Sequence, residues 1–125
     1  MDVTPVIPAD RQVIDRYGPA GFQVSGVLHP GSILLFPDET QAWSPTSMAE
    51  VTAESLAAVA AHGGVQILLL GCGRRMALVP PPIRAALKQA GIVIDAMDTG
   101  AACRTYSVLL GEGRQVAAAL LPVTA

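Results

Sequence analysis

The stretch Val65-Gln66-Ile67-Leu68-Leu69-Leu70-Gly71-Cys72-Gly73 decides the fold class. An unbroken aliphatic run this short, bounded by glycines on both sides, reads as a strand covered on both faces. Upstream, Thr52 can cap a helix running to His62, with Glu54 in its first turn and Leu56, Val59 and Ala60 as its inward stripe. Gly63-Gly64 stop it. Downstream, Pro80-Pro81-Pro82 opens a second helix, because proline is tolerated at the first helical position. Its inward stripe is Ile83, Leu87 and Ala90, and Gly91 follows as the terminating glycine. Ile92–Met97 is the next strand. Asp98 or Thr99 then caps a third helix to Leu110, with Ala102, Tyr106 and Leu109 on one face and Arg104 and Ser107 on another. Val116–Leu121 is a last apolar strand before Pro122. Strands alternating with helices call for a largely parallel sheet with helices on its faces.

The first third of the chain follows a different pattern. Ile14–Tyr17 is a weak strand candidate, and Phe22–Leu28 alternates Phe22, Val24 and Leu28 against Gln23 and Ser25. His29-Pro30-Gly31-Ser32 then matches a type II turn, in which proline presets φ and glycine supplies the positive φ. Ile33–Phe36 is the returning strand of the predicted hairpin, ended by Pro37-Asp38. The expectation is therefore one α/β domain over residues 1–125. It is three-layered, with a mixed, largely parallel central sheet, helices on its faces and an N-terminal β-hairpin. Residues 1–12 are expected to be a loosely ordered lead.

Composition narrows the functional classes. Apolar residues make up 51% of the chain and charged residues 14%, yet no apolar run approaches the roughly 20 residues of a membrane span. Met1–Gln12 has no basic region followed by an apolar core, so a cytoplasmic location is expected. A net charge of −2 argues against nucleic acid, which calls for a basic stripe. Cys72 and Cys103, with no secretory signal, read as unpaired thiols of a reducing compartment.

Four groups of residues carry chemical promise. Gly71-Cys72-Gly73 sits where open α/β sheets place their ligands, at the end of a strand, and Asp95 and Asp98 follow at the next one. But Met76 stands where a dinucleotide fingerprint has its third glycine, and three prolines separate the turn from the next helix, so no nicotinamide cofactor is expected. A tight turn that needs small residues is the simpler account of the glycines. Cys103 lies in the first turn of the third helix beside Arg104, a setting that lowers a thiol pKa. Ala101-Ala102-Cys103 also reads as a small-residue packing face. The cysteines and histidines form no metal set at familiar spacings, so neither metal nor cofactor is expected. Asp38-Glu39 read as a solvated turn. Finally, seven of the eight basic residues are arginines. If Arg74 and Arg75 lie at the same sheet edge as Arg104, they converge and could hold a carboxylate, a phosphate or an acidic partner loop. The alternative is an internal salt bridge from Arg104 to Asp98 or Glu112. The candidate ligand or partner surface comprises Gly71, Cys72, Gly73, Arg74, Arg75, Asp98, Thr99, Cys103, Arg104 and Ser107.

Several strings carry a family resemblance: Glu54-Ser55-Leu56, Leu69-Leu70-Gly71-Cys72-Gly73, Met97-Asp98-Thr99-Gly100-Ala101-Ala102-Cys103-Arg104-Thr105-Tyr106, Glu112-Gly113-Arg114, and Val116 to Pro122. The chain resembles the family of small domains that includes the mitochondrial NADH dehydrogenase (complex I) assembly factor 3 and the adipogenesis-associated MTH-type domain proteins. It departs from that pattern at Ser107, where asparagine is expected, and at Cys72, often a threonine. The resemblance implies a three-layer α/β domain and no established enzymatic activity. It implies a non-enzymatic, assembly-factor-like module with a protein partner. The alternative class is a small-molecule (anion) binding protein or enzyme using the Gly71–Arg75 and Asp98–Arg104 loops.

Overall fold

The computed structural model describes residues 11–125. The chain opens with three short strands, β1 (Ile14–Gly18), β2 (Gly21–Val24) and β3 (Val27–Pro30), which form an antiparallel sheet in that order. Next come β4 (Ile33–Leu35), β5 (Thr40–Ala42), two 3-10 turns at Met48–Glu50 and Glu54–Leu56, and α1 (Ala57–His62). The alternating part follows: β6 (Ile67–Gly71), α2 (Pro81–Gln89), β7 (Val93–Met97), α3 (Thr99–Gly111) and β8 (Val116–Leu120). The second sheet has the order β5-β4-β8-β6-β7.

This sheet is mixed, as expected, but not largely parallel. β8 pairs parallel with β6, and β6 with β7, but β4 pairs antiparallel with both β8 and β5. The predicted hairpin is also rearranged. Phe22–Leu28 is not one strand, because the chain reverses at Ser25-Gly26, where φ is 47° and 83°. Two successive positive φ values define the tight hairpin turn whose twist matches its flanking strands. Ser25 tolerates the conformation because its hydroxyl accepts from Val13 N–H at 3.0 Å, while Gly26 N–H donates to Asp15 Oδ2 at 2.7 Å. Pro30-Gly31 carries the chain into the other sheet, so Ile33–Leu35 pairs with β5 and β8 and not with β2.

β8 is buried along its whole length and divides the core. Ala117 and Ala119, with Leu121 just beyond the strand, join Phe36, Trp43, Leu56, Val59, Ile83 and Leu87 on one side. Val116, Ala118 and Leu120 join Phe22, Val24, Leu69, Tyr106 and Leu110 on the other. Strand periodicity sends alternate residues to opposite faces, so α1 and α2 cover one face of the sheet, and α3 with the small sheet covers the other. Alanines at the centre of β8 give the large side chains of both clusters room to close on the strand.

The helical expectations hold in part. Thr52 Oγ1 accepts from Ser55 N–H at 3.0 Å and starts the segment, which begins as a 3-10 turn before α1. Leu56, Val59, Ile83 and Leu87 are buried, whereas Ala60 and Ala90 at the ends of their stripes are exposed. The expected loose lead over residues 1–12 lies, up to residue 10, outside the described residues. Gln12 is held: its N–H donates to Pro37 O at 2.8 Å, and its Oε1 accepts from Thr40 Oγ1 at 2.6 Å.

Candidate functional site

The glycine turn after β6 is a structural junction. Cys72 N–H donates to Met97 O at 2.9 Å, and Leu121 N–H to Gly71 O at 3.0 Å, so the ends of β6, β7 and β8 are stitched together here. Thr99, fully buried, lies at the centre. Its N–H donates to Gly73 O at 2.9 Å, its hydroxyl donates to Leu121 O at 2.7 Å, and the same oxygen accepts from Gly73 N–H at 2.8 Å. Gly71 has no room for a side chain, since a Cβ there would meet Leu120 Cδ2 at 2.9 Å and Thr99 Oγ1 at 3.1 Å. Gly73 has φ +95° and lies against the Ala125 carbonyl, so both its conformation and its surroundings require glycine. Asp98 caps α3, its Oδ1 accepting from Ala101 N–H at 2.9 Å.

The thiols are not poised for chemistry. Cys72 and Cys103 are buried and belong to core clusters on opposite faces of the sheet. Burial pushes the Cys103 thiol up to about 12, against the opposing pull of Arg104 and with the help of Asp98. Burial also raises Cys72, more than its backbone contacts at Ala77 and Met97 lower it. At neutral pH both remain thiols, the weakly nucleophilic form.

The three arginines separate. Arg74 and Arg75 line an open recess of about 440 Å³ with Met48, Cys72, Met76 and Ala77. Arg104 lies in a different cleft, of about 430 Å³, formed by Ile14–Tyr17 of β1 and by Cys103, Arg104 and Ser107 of α3. The two share no residue, because Arg104 projects to the face covered by the small sheet. Nor is Arg104 a brace to Asp98 or Glu112: among the described residues the ion pairs within 4.0 Å are those of His62 alone. Arg104 is exposed and donates from Nη1 to Tyr17 Oη at 3.3 Å. Gly100 leaves space for that pair, as a Cβ there would come within 2.9 Å of Tyr17 Oη. Ser107 donates its hydroxyl to Cys103 O at 3.1 Å.

Of the sequence-derived residues, Gly71, Gly73 and Thr99 thus meet at the junction. Arg74, Arg75 and Cys72 line one recess, and Cys103, Arg104 and Ser107 line another. Sequence reasoning missed the β1 wall of that second cleft, Asp15, Arg16 and Tyr17. The charged pair Asp15-Arg16 inside a weak strand was the available signal.

Residues 14–121 match the family described as "Protein of unknown function (DUF498/DUF598)". The chain belongs to that family. A bovine (Bos taurus) relative, NADH dehydrogenase (ubiquinone) 1 alpha subcomplex assembly factor 3, is 34% identical over 110 residues, covering 87% of this chain. This chain spans 60% of that relative's length. A solved structure described as a Mth938-like domain, from Bordetella pertussis, superposes with a TM-score of 0.84 at 28% identity, covering 99% of this chain and 94% of its own. Another, described as an outer membrane protein from Bartonella henselae, gives a TM-score of 0.84 at 36% identity, covering 94% and 98%. Family membership and the mixed α/β fold thus agree with the resemblance drawn from the strings above.

Proposed function

We propose that this DUF498/DUF598 family member is a non-enzymatic, assembly-factor-like module that works through protein contacts as a single three-layer domain. The observation that carries the reading is the chemical poverty of the cleft between β1 and α3. It has an apolar floor and a charged rim, but its thiol is buried and protonated. Its Ser107 hydroxyl donates to the Cys103 carbonyl, with no base beside it in the cleft's histidine-free lining, and Asp15 is engaged by the Gly26 amide. Nucleophilic and general acid–base catalysis need an activated nucleophile or a base within hydrogen-bond reach of the substrate. A charged rim around an apolar floor suits recognition instead. The name of the bovine relative, an assembly factor, points the same way.

A tagged copy expressed in its native cell tests the reading. A stoichiometric protein partner, recovered after crosslinking and identified by mass spectrometry, is expected. Recovery of the bare chain under those conditions would count against it. The cytoplasm is the proposed location, since two buried, unpaired cysteines suit a reducing compartment, and cell fractionation checks it.

The second reading is a small anionic ligand at the recess of Arg74 and Arg75, where two guanidinium groups are neighbours in the chain. Titration of the purified chain with inorganic phosphate, and of an Arg74→Ala/Arg75→Ala variant alongside, decides it. Nucleic acid is not proposed as a partner, and among the described residues no helix is long and apolar enough to cross a membrane.

A further inference from the structure

β1 is an edge strand: it pairs with β2 on one side, and among the described residues no strand pairs with its other side. Register shows which way its side chains point. Tyr17 lies opposite the buried Phe22 and faces inward, whereas Arg16 lies opposite Gln23, itself paired with the exposed Leu28, and faces outward. Both nevertheless line the cleft, together with Ile14 and Asp15. A cleft lined by residues of both faces runs along the edge of the strand, where unpaired N–H and C=O groups are offered.

The rim carries two guanidinium groups, Arg16 and Arg104, against one carboxylate, Asp15. Among the described residues, Arg16 and Arg104 have no carboxylate within 4.0 Å. Asp15, the acid beside them, already accepts from Gly26 N–H at 2.7 Å. In a chain of net charge −2, this is a local cationic rim. Arg104 has used one of its five donors on Tyr17 Oη, and that hydroxyl retains its own proton to donate. A carboxylate placed against the pair would accept from both. The floor beneath is apolar, formed by Ile14 and the Cys103 thiol.

We propose that this cleft receives an acidic, extended segment of a partner protein, laid along the open edge of β1 with its carboxylates on Arg104 and Arg16 and its apolar residues on the floor. The inference rests on the protein-contact reading above and names the chemistry of the partner. Size favours a peptide over a small carboxylate: four strand residues span about 10 Å at about 3.3 Å per step. An added strand sends alternate side chains to its two faces, so one carboxylate meets Arg16 on the outer face and another meets Arg104 and Tyr17 on the inner face, beside apolar residues on the floor.

The test uses the full chain and a fluorescent peptide repeating glutamate–glutamate–valine–valine, which offers a carboxylate on each face, followed by polarisation, with a lysine–lysine–valine–valine repeat as control. The glutamate peptide should bind, and should weaken as ionic strength rises. Arg104→Ala and Arg16→Ala should each weaken it about tenfold, the worth of one charge-assisted hydrogen bond. Arg104→Ala should melt with the parent, because the side chain is exposed. Equal binding of the lysine peptide, or an Arg104→Ala variant that binds like the parent, would overturn the proposal. Complete displacement by glutarate at concentrations comparable to the peptide would mean a small-anion site and also overturn it. So would a homodimer that Arg104→Ala converts to monomer, because a second copy would then fill the cleft. Failure here is separable from failure of the broader reading: if the native partner is recovered equally by the parent and by Arg104→Glu, the cleft is wrong and the protein-contact reading stands.

Discussion

Thr99 and Gly73 exchange hydrogen bonds in both directions, Thr99 N–H to Gly73 O at 2.9 Å and Gly73 N–H to Thr99 Oγ1 at 2.8 Å. With its third bond, to Leu121 O, the threonine joins the start of α3 to the chain leaving β6 and the chain leaving β8. Thr99→Val keeps the shape but leaves the Gly73 amide and the Leu121 carbonyl buried without the hydroxyl. Each such orphan costs about 1–3 kcal/mol, so urea denaturation should show a large loss. Thr99→Ser, which keeps the hydroxyl, should lose less.

His62 responds to pH. Its ring stacks on Phe36 with centroids 4.1 Å apart, and Nε2 lies 2.7 Å from Asp38 Oδ1. The solvated turn expected of Asp38-Glu39 is therefore a partner of the last residue of α1. Burial alone would lower the His62 pKa, but the Gly63 carbonyl and the carboxylates of Asp38 and Glu39 outweigh it, and the pKa is raised. A raised folded-state pKa means that protonated His62 stabilises the fold. That contribution is fully present below the ordinary histidine value of about 6.5 and is lost as pH rises through the folded-state value. The stability difference between the parent and His62→Phe, which keeps a ring on Phe36, should shrink as pH rises from acid to mildly alkaline. A difference constant with pH would show that the charge has no part in it.

Leu69, Ile94 and Leu120 are all buried, but not in one environment. Leu69 and Leu120 share the cluster under α3, whereas Ile94 lies on the edge strand β7 in the cluster that holds Ile83 and Leu87. Truncation of any of them to Ala should cost about 2–5 kcal/mol by chemical denaturation. A loss under about 0.5 kcal/mol, the range of surface positions, would contradict the packing.

Cys72 and Cys103 should react slowly with Ellman's reagent in the native protein near pH 8 and at once in denaturant. Both are buried, and the Cys103 thiol is held at about 12. Rapid native-state labelling of Cys103, with Cys72 replaced by Ser to isolate it, would contradict that burial.

Much of the second half of the chain was legible in sequence because its determinants are local. Ile67–Leu70 between glycines, three prolines before Ile83, and Asp98 before a helical stripe each act within a few residues, and each element stands close to where these signals put it. The first third was legible only as strands. Pro30-Gly31 carries the turn signal, whereas Ser25-Gly26 reads as part of the strand Phe22–Leu28. Pairing across the molecule decided which closes a hairpin and which leads into the other sheet: β4 buries its backbone edge against β8, some 80 residues away in the chain. The site divided in the same manner. The residue types of a ligand surface were visible in Arg74, Arg75 and Arg104, but sequence has no term for the face of a sheet on which a loop emerges. Tertiary packing sent Arg104 to Tyr17 and the β1 edge, kept Arg74 and Arg75 in a recess of their own, and turned Thr99 from a helix-capping candidate into a buried junction. Periodicity and turn chemistry act over a few residues, so the sequence alone determined the elements of the second half of the chain; which surfaces meet depends on contacts between distant parts of the chain, so only the tertiary structure decided the strand pairing of the first third and the site.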